Sequence, residues 1–278
     1  MSTSAALPAP RQARPRRSLD AVLLVVLALL AAPLLWLILA AFDANASVQL
    51  KLPALTLANF ARALEPGPLR GLLNSLLLAT IATALATLVS FPAAYVLARR
   101  AVPLKQLLLV LVLFLSGVPI TVLILPIFDV FSKLQLLSLV PAAVVLAVLN
   151  VPFELYIMKT AIEAIPLDLE DAARVERAST ATILSRIVLP LSLPSVLAAA
   201  IYGFINAWGN FLVPLILITD QASQPGPIVI YGFMGSVQVD FGAIAAYSIV
   251  YSLPIVLFYL SCSSLFRSGY ILGGGLRG

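Results

Sequence analysis

Few residues in this chain are suited to chemistry. Histidine is absent, and the single cysteine, Cys262, sits in an apolar run. That excludes His general bases, Ser/His/Asp and Cys/His nucleophiles, Cys- or His-based metal cages and any intrachain disulfide. No catalytic residue and no metal-ligand set is assigned. The polar groups that remain gather in two ways. One is a charged island at 165–193, IPLDLEDAARVERASTATILSRIVLPLSL, carrying Asp168, Glu170, Asp171, Arg174, Glu176, Arg177 and Arg186. The other is a scatter within long apolar runs, including Asn74, Ser75, Thr80, Thr83, Ser90, Asn150, Glu154, Asn206, Asn210, Tyr247 and Tyr251. Polar groups inside such runs are costly, so they mark either function or interhelical hydrogen bonds. The Ser and Thr residues of the second run read as helix–helix contacts. Asn150, Phe153, Asn206, Trp208 and Asn210 form the candidate substrate path, because an aromatic ring beside amides can stack on a sugar and hydrogen-bond it. Helix packing explains the same residues, and both readings stand. Glu154 is expected to pair with a cation or to reach water.

The elements that position these groups follow from composition. The chain of 278 residues is 62% hydrophobic and 10% charged, with a mean hydropathy of +1.08. Globular chains are about half apolar and a quarter charged, so this is a polytopic membrane protein. Six stretches reach the roughly 20 apolar residues of a membrane-spanning helix, at 21–42, 72–98, 104–128, 139–158, 195–218 and 243–266. The fold class is all-α, with six transmembrane helices and no alternating barrel pattern. Basic residues set the orientation. Thirteen lie in the amino-terminal tail, the second-to-third and fourth-to-fifth loops and the carboxyl tail, whereas Lys51, Arg62, Arg70 and Lys133 lie on the other side. Both termini are thus expected in the cytoplasm. The net charge of +5 is a topology signal, and nucleic-acid binding is not needed to explain it. The first apolar run of about 22 residues exceeds the 7–15 of a secretory signal, so it reads as a retained span despite Ala44-Asn45-Ala46. Residues 1–18 read as a disordered cytoplasmic tail, and 19–278 as one transmembrane domain. The outer loop 43–71 is long enough to shape a docking surface. Loop 220–241 has no basic residue and is rich in Gly and Pro, which fits a short element dipping back at the membrane edge.

In the charged island, Pro166 opens a helix whose first turn holds Asp168, Glu170 and Asp171, acids that oppose the positive end of its dipole. Glu170 and Arg174 are spaced as a favourable i,i+4 pair. Leu169, Ala172, Ala173 and Glu176 share one face, with two alanines at its exposed centre, and small residues let another surface approach closely. After Arg177-Ala178, Ser179 is placed to cap a second helix with an apolar stripe of Thr180, Ile183, Leu184, Ile187, Val188 and Leu191. Pro190 and Pro194 mark re-entry into the membrane. An amphipathic helix lying on lipid headgroups is the competing reading, and the acidic first turn argues against it because inner-leaflet lipids are anionic.

Asp171-Ala172-Ala173-Arg174-Val175-Glu176-Arg177-Ala178-Ser179, followed by Ile187-Val188-Leu189-Pro190, resembles the cytoplasmic "EAA" loop of ABC-importer permeases, roughly E-A-A-x-x-D-G-A-S and then I-x-L-P. Three more stretches resemble the carbohydrate-uptake (maltose-type) branch: Asn150-Val151-Pro152-Phe153, Phe204-Ile205-Asn206-Ala207-Trp208-Gly209-Asn210-Phe211, and the ending Gly273 to Gly278. With the six-span spacing, the resemblance covers nearly the whole chain. It implies a permease subunit that moves a sugar, oligosaccharide or related polyol into the cytoplasm by alternating access. It also implies a coupling helix, in a loop at about 162–193, that docks on an ATP-hydrolysing subunit through Asp171, Ala172, Ala173, Glu176, Arg177 and Ala178. The implied partners are a second permease subunit, an ATPase dimer, an extracytoplasmic substrate-binding protein and the lipid of a bacterial or archaeal cell membrane. ATP and Mg would belong to the ATPase partner; this chain has no G-x-x-x-x-G-K-[ST] loop and is expected to bind no cofactor. Two departures stand out: Asp171 replaces the leading glutamate, and Arg177 replaces the turn glycine. Glycerol-3-phosphate, phosphodiester or polyamine transport in the same class is the alternative substrate reading. An ion-coupled secondary transporter would want intramembrane acids, and Glu154 alone offers one. An intramembrane enzyme lacks residues for hydrolysis.

Overall fold

A computed structural model describes residues 17–49, 51–235 and 239–274, apart from the side chains of 17–20, 115 and 262–274. The tail at 1–16 and the last residues of the glycine-rich ending, 275–278, lie outside the described residues; Arg17 and Ser18 already belong to the first helix. Helices α1 (Arg17–Ala41), α2 (Ala58–Ala63), α3 (Pro66–Arg99), α4 (Lys105–Ser116), α5 (Ile120–Lys133), α6 (Leu139–Glu163), α7 (Leu167–Val175), α8 (Thr180–Ile183), α9 (Leu189–Trp208), α10 (Leu212–Leu217), α11 (Gly226–Gly232) and α12 (Phe241–Gly274) follow in order. Among the described residues, the only β pairing is an isolated bridge between Asp43 and Leu55.

Five helices are long and apolar enough to cross a membrane: α1, α3, α6, the run Thr180–Trp208 and α12. The expected third span is instead divided into α4 and α5. Pro119 has no amide hydrogen and pushes Val118 out of helical geometry, and Pro119 itself sits extended at the cap of α5. At 12 and 14 residues, each piece is about 20 Å long against a hydrocarbon core of about 30 Å. Neither crosses alone; end to end they have the length. The fifth span is also displaced. It ends at Trp208 rather than Ile218, and α10 follows as a separate turn. At its start, the amphipathic second helix of the island is fused to it through a π turn, Leu184–Val188. Pro190, with no N–H to give, lies in the first turn of α9, so the ladder widens just before it and re-forms. Pro190 and Pro194 therefore lie within one continuous helix and do not separate two elements.

The centre of the molecule is α3 packed along α6 and α9. Ala79, Ala82, Ala86 and Ala94 of α3 and Ala142 and Ala143 of α6 are fully buried, and such small residues let helix backbones approach where lipid offers no hydrophobic drive. Two apolar clusters result. One, at the end bearing α7, gathers Tyr95, Leu155, Met158, Ile162, Ile183 and Val188. The other, at the opposite end, gathers Leu78, Trp208, Tyr247 and Tyr251. A polar layer separates them. Thr87 Oγ1 donates to Glu154 Oε2 at 3.0 Å, and Asn150 Nδ2 to the Gly203 carbonyl at 3.1 Å. Glu154 is completely buried, and its Oε1 has no hydrogen-bond partner among the described residues. Among the described residues no cation pairs with Glu154: Thr87 of α3 donates to it and Gly203 of α9 lies against it.

The end opposite α7 is tied together by Asn59 of α2. Its Nδ2 donates to the carbonyls of Ala41 and Asp43 at 3.1 and 2.9 Å, which the end of α1 would otherwise leave unpaired. Its Oδ1 accepts from Arg62, which also pairs with Asp240, and Asp240 caps α12 by accepting from the Ala243 amide at 2.9 Å. Loop 220–241 forms a short 3-10 turn and α11, the short element expected from its composition. The flanks of α1 are exposed and apolar, with Leu23, Leu24, Leu27, Leu30 and Leu34 all facing outward, a surface for lipid rather than water.

Candidate functional site

Helix α7 stands between α6 and the α8–α9 run and holds the chain's charged island. Pro166 at its cap supplies a fixed φ and no orphan donor. The helix presents two unlike faces. Leu169, Ala172 and Val175 point outward at i, i+3, i+6; Val175, at 81% exposed, is the barest. Asp171, Glu176 and Arg177 flank them and are exposed. Ala173 and Ala178 turn inward and pack, half-buried, on the apolar cluster at this end. The expected pair of exposed alanines is thus one exposed alanine and one packed alanine, because residues 100° apart on a helix cannot both face out once one side is covered.

The covered side is fixed by Glu170, which is 0% exposed. Its Oε1 accepts from Arg99 Nε at 2.7 Å, and its Oε2 accepts from the Tyr95 hydroxyl at 2.9 Å and from Arg174 Nη2 at 3.1 Å. Arg99 Nη2 also donates to the Ile165 carbonyl at 2.8 Å, on the link between α6 and α7. Removing one partner of such a pair costs on the order of 3–5 kcal/mol, because the other charge stays buried and unmatched. Arg174 continues the chain of charge outward: its Nη1 donates to Asp171 at 2.5 Å, and that carboxylate raises the guanidinium pKa further above its ordinary value.

The turn after α7 settles the position of Arg177. Its φ is +60°, the left-handed region that glycine adopts freely. The Arg177 amide donates to the Arg174 carbonyl at 2.9 Å and the Ala178 amide to the Ala173 carbonyl at 3.0 Å, the pair of bonds of a Schellman turn. The turn keeps the geometry a glycine would have, and the arginine accepts it. Ser179 then caps α8, accepting from the Thr182 amide at 3.2 Å.

The candidate substrate-path residues do not form one surface. Asn150 is buried against Gly203. Phe153 and Tyr202 stack on each other at 3.8 Å between ring centroids, both partly exposed. Asn206 is exposed and bonds back to the Tyr202 carbonyl of its own helix. Trp208 is 1% exposed, stacked on Tyr251 at 4.6 Å, and its carbonyl accepts the Tyr251 hydroxyl at 2.5 Å. Asn210 accepts from the Val213 amide and so starts α10. Alternate positions on a helix lie 200° apart, which places Asn206 and Trp208 on opposite sides. A cleft of about 690 Å³ opens instead beside Thr80, Thr83 and Thr87, with Phe204 and Phe258 on its walls. The Thr83 hydroxyl is buried without a partner among the described residues. Thr80 and Thr83 were read as helix contacts; with Thr87, which does bond to Glu154 of α6, their i, i+3, i+7 spacing was the available signal that they share a face.

Residues 86–267 match the profile of the binding-protein-dependent transport system inner membrane component family. The chain belongs to that family. This permease is 31% identical to the sulfoquinovosyl glycerol transport system permease protein SmoH of Agrobacterium fabrum, over all of its own length and 99% of SmoH. It is 30% identical to the trehalose/maltose transport system permease protein MalG of Thermococcus litoralis, over 94% and 95% of the two chains. It is 31% identical to the trehalose transport system permease protein SugB of Mycobacterium tuberculosis, over 74% and 76%. Its fold matches a chain of a bacterial ABC transporter involved in the import of the acidic polysaccharide alginate, with a TM-score of 0.76 at 18% identity, covering 93% of the permease and 100% of that chain. The permease is a multi-pass membrane protein of a transport system.

Proposed function

We propose that this permease imports a sugar or a small glycoside, and that α7 is the helix on which a separate ATPase subunit acts. The observation that carries the reading is α7 itself: a short helix with an exposed Leu169–Ala172–Val175 strip and an Asp171 rim, joined by a buried ion pair to a membrane-spanning core. In this reading the end bearing α7 faces the cytoplasm with both termini. The ATPase pair closes on ATP, the α7 helices of two permease subunits move together, and the opposite end opens to a substrate-binding protein. Hydrolysis belongs to the ATPase, which holds ATP and Mg; the permease supplies the path and the joint. The sugar is supported by its relatives, whose names specify sulfoquinovosyl glycerol, trehalose and maltose.

The test is uptake of labelled trehalose, maltose and sulfoquinovosyl glycerol into cells with and without the ATPase gene, at constant membrane potential. Uptake of one of them that disappears with the ATPase is the expected result; uptake that persists assigns the permease to secondary transport. Ala172→Glu places a carboxylate on the docking strip beside Asp171. It is expected to leave the permease in the membrane and to cut uptake at least about tenfold, the loss of roughly 1.4 kcal/mol of coupling. Unaltered uptake in that variant removes α7 as the docking helix.

A further inference from the structure

We infer that Glu170, Arg99 and Tyr95 form a rigid clamp that makes α3 move with the coupling helix, and that this clamp is the direct link by which α7 acts on α3. The inference rests on the importer reading above. By chain connectivity, α7 is tied to α6 and to α9 only. Helix α3 is linked to it solely through space, across 71 residues between Arg99 and Glu170. Yet α3 is the helix on which α6 and α9 both pack, and it carries Thr80, Thr83 and Thr87 along the cleft. A mechanism that moved α6 and α9 while leaving α3 behind would open the Ala79–Ala82–Ala86 contact, which is closed to solvent along its length.

The geometry of the clamp suits transmission of force. Arg99 holds α7 and its entry link at once, through the Glu170 carboxylate and the Ile165 carbonyl. Its guanidinium is planar and its donors are fixed in direction, so the two bonds resist rotation as well as separation. Tyr95, one turn back on α3, holds the second carboxylate oxygen. The Arg99 side chain is 6% exposed and Glu170 0%, so water does not compete for these bonds. The alternation Arg99, Glu170, Arg174, Asp171 then runs from the membrane helix to the exposed rim. A cation from the docked partner that takes Asp171 would leave Arg174 to Glu170 alone. These three are positioning residues: they act through α3 and touch no substrate.

The test uses the full transporter, with its second permease and ATPase, in nanodiscs, in a Cys262→Ala background. Spin labels at Asp168→Cys and Arg100→Cys, both exposed, report the separation of α7 from the end of α3 with and without AMP-PNP. In the parent the separation is expected to stay constant through the nucleotide change. In Glu170→Gln and Arg99→Lys it should become nucleotide-dependent, and uptake per ATP should fall roughly tenfold, within the usual range for coupled sites. Tyr95→Phe removes one hydroxyl, changes no charge, and decides the matter if the other two do not assemble; a smaller fall of about threefold is expected there. A merely structural role would lower yield or melting temperature and leave uptake per ATP unchanged. A separation that changes in the parent, or stays fixed in every assembled variant, overturns the clamp alone. If no ATPase co-purifies with the parent, the importer reading fails and the clamp fails with it.

Discussion

Arg177 shows how far a single residue can be read. The family pattern asks for glycine there, and the backbone at φ +60° confirms why. A non-glycine residue in that region carries about 1–2 kcal/mol of steric cost, and glycine's extra unfolded-state freedom returns roughly half of that. Arg177→Gly is therefore expected to raise stability by about 0.5–1 kcal/mol, seen as a higher melting temperature of the detergent-solubilised permease. A lower one would assign the guanidinium a stabilising contact. Asp43 offers a second residue-level expectation. Its carboxylate accepts from the amides of Asn45 and Ala54 at 3.1 and 2.9 Å, and the Asn45 bond foremost holds its pKa below the usual carboxylate value. A carboxyl that titrates lower when folded contributes fully above its unfolded pKa of about 3.9 and loses that contribution as pH falls through the folded value. The Ala54 amide should stay protected from hydrogen exchange between about pH 5 and 8, and lose protection only below about pH 4. Loss of protection near pH 6 would contradict this. Glu170, by contrast, was not legible as an anchor. An acid in a helix's first turn is already explained by the dipole, and its true partner lies on another span.

Elements were legible where a run was apolar and uninterrupted. Helices α1, α3, α6 and α12 lie where hydropathy puts them, with ends shifted by up to eight residues. The third and fifth spans were misjudged because hydropathy records transfer free energy and not backbone geometry. Pro119 breaks the third into α4 and α5, and the turn at 209–211 ends the fifth. The contact of α6 with α9 carries a prediction of its own. Gly203 lies against the Glu154 carboxylate, and a methyl group there would collide with it. Gly203→Ala should cost about 1–3 kcal/mol from overpacking. Glu154→Ala in the same chain should recover much of it by vacating the space. A double-mutant cycle of melting temperatures measures the coupling; strictly additive losses would show that the strain lies elsewhere.

The whole molecule is a three-helix core with its charged elements at two ends. Lys51, Asp43, Arg62 and Asp240 cluster at one end, through the Asn59 junction and its neighbouring loop. Arg99, Glu170 and Arg174 cluster at the other. The basic-residue count is the ground for expecting the second end in the cytoplasm. In a Cys262→Ala background, cysteines at Lys51 and Asp220 should react with a membrane-impermeant maleimide in intact cells, and cysteines at Asp168 and Glu176 only after the membrane is broken. The reverse pattern would invert the topology and remove the cytoplasmic docking surface with it.

Composition and spacing alone established a polytopic all-α membrane protein with a charged helical loop between its fourth and fifth spans, because apolar runs and charge placement are local properties that lipid selects directly. The break at Pro119 and the opposite facing of Asn206 and Trp208 follow from local backbone geometry that hydropathy does not weigh, whereas the inward turn of Ala173 and the Glu170–Arg99 anchor came from packing. The latter two depend on which helix lies beside which, and that is set by contacts between residues dozens of positions apart that no local pattern encodes.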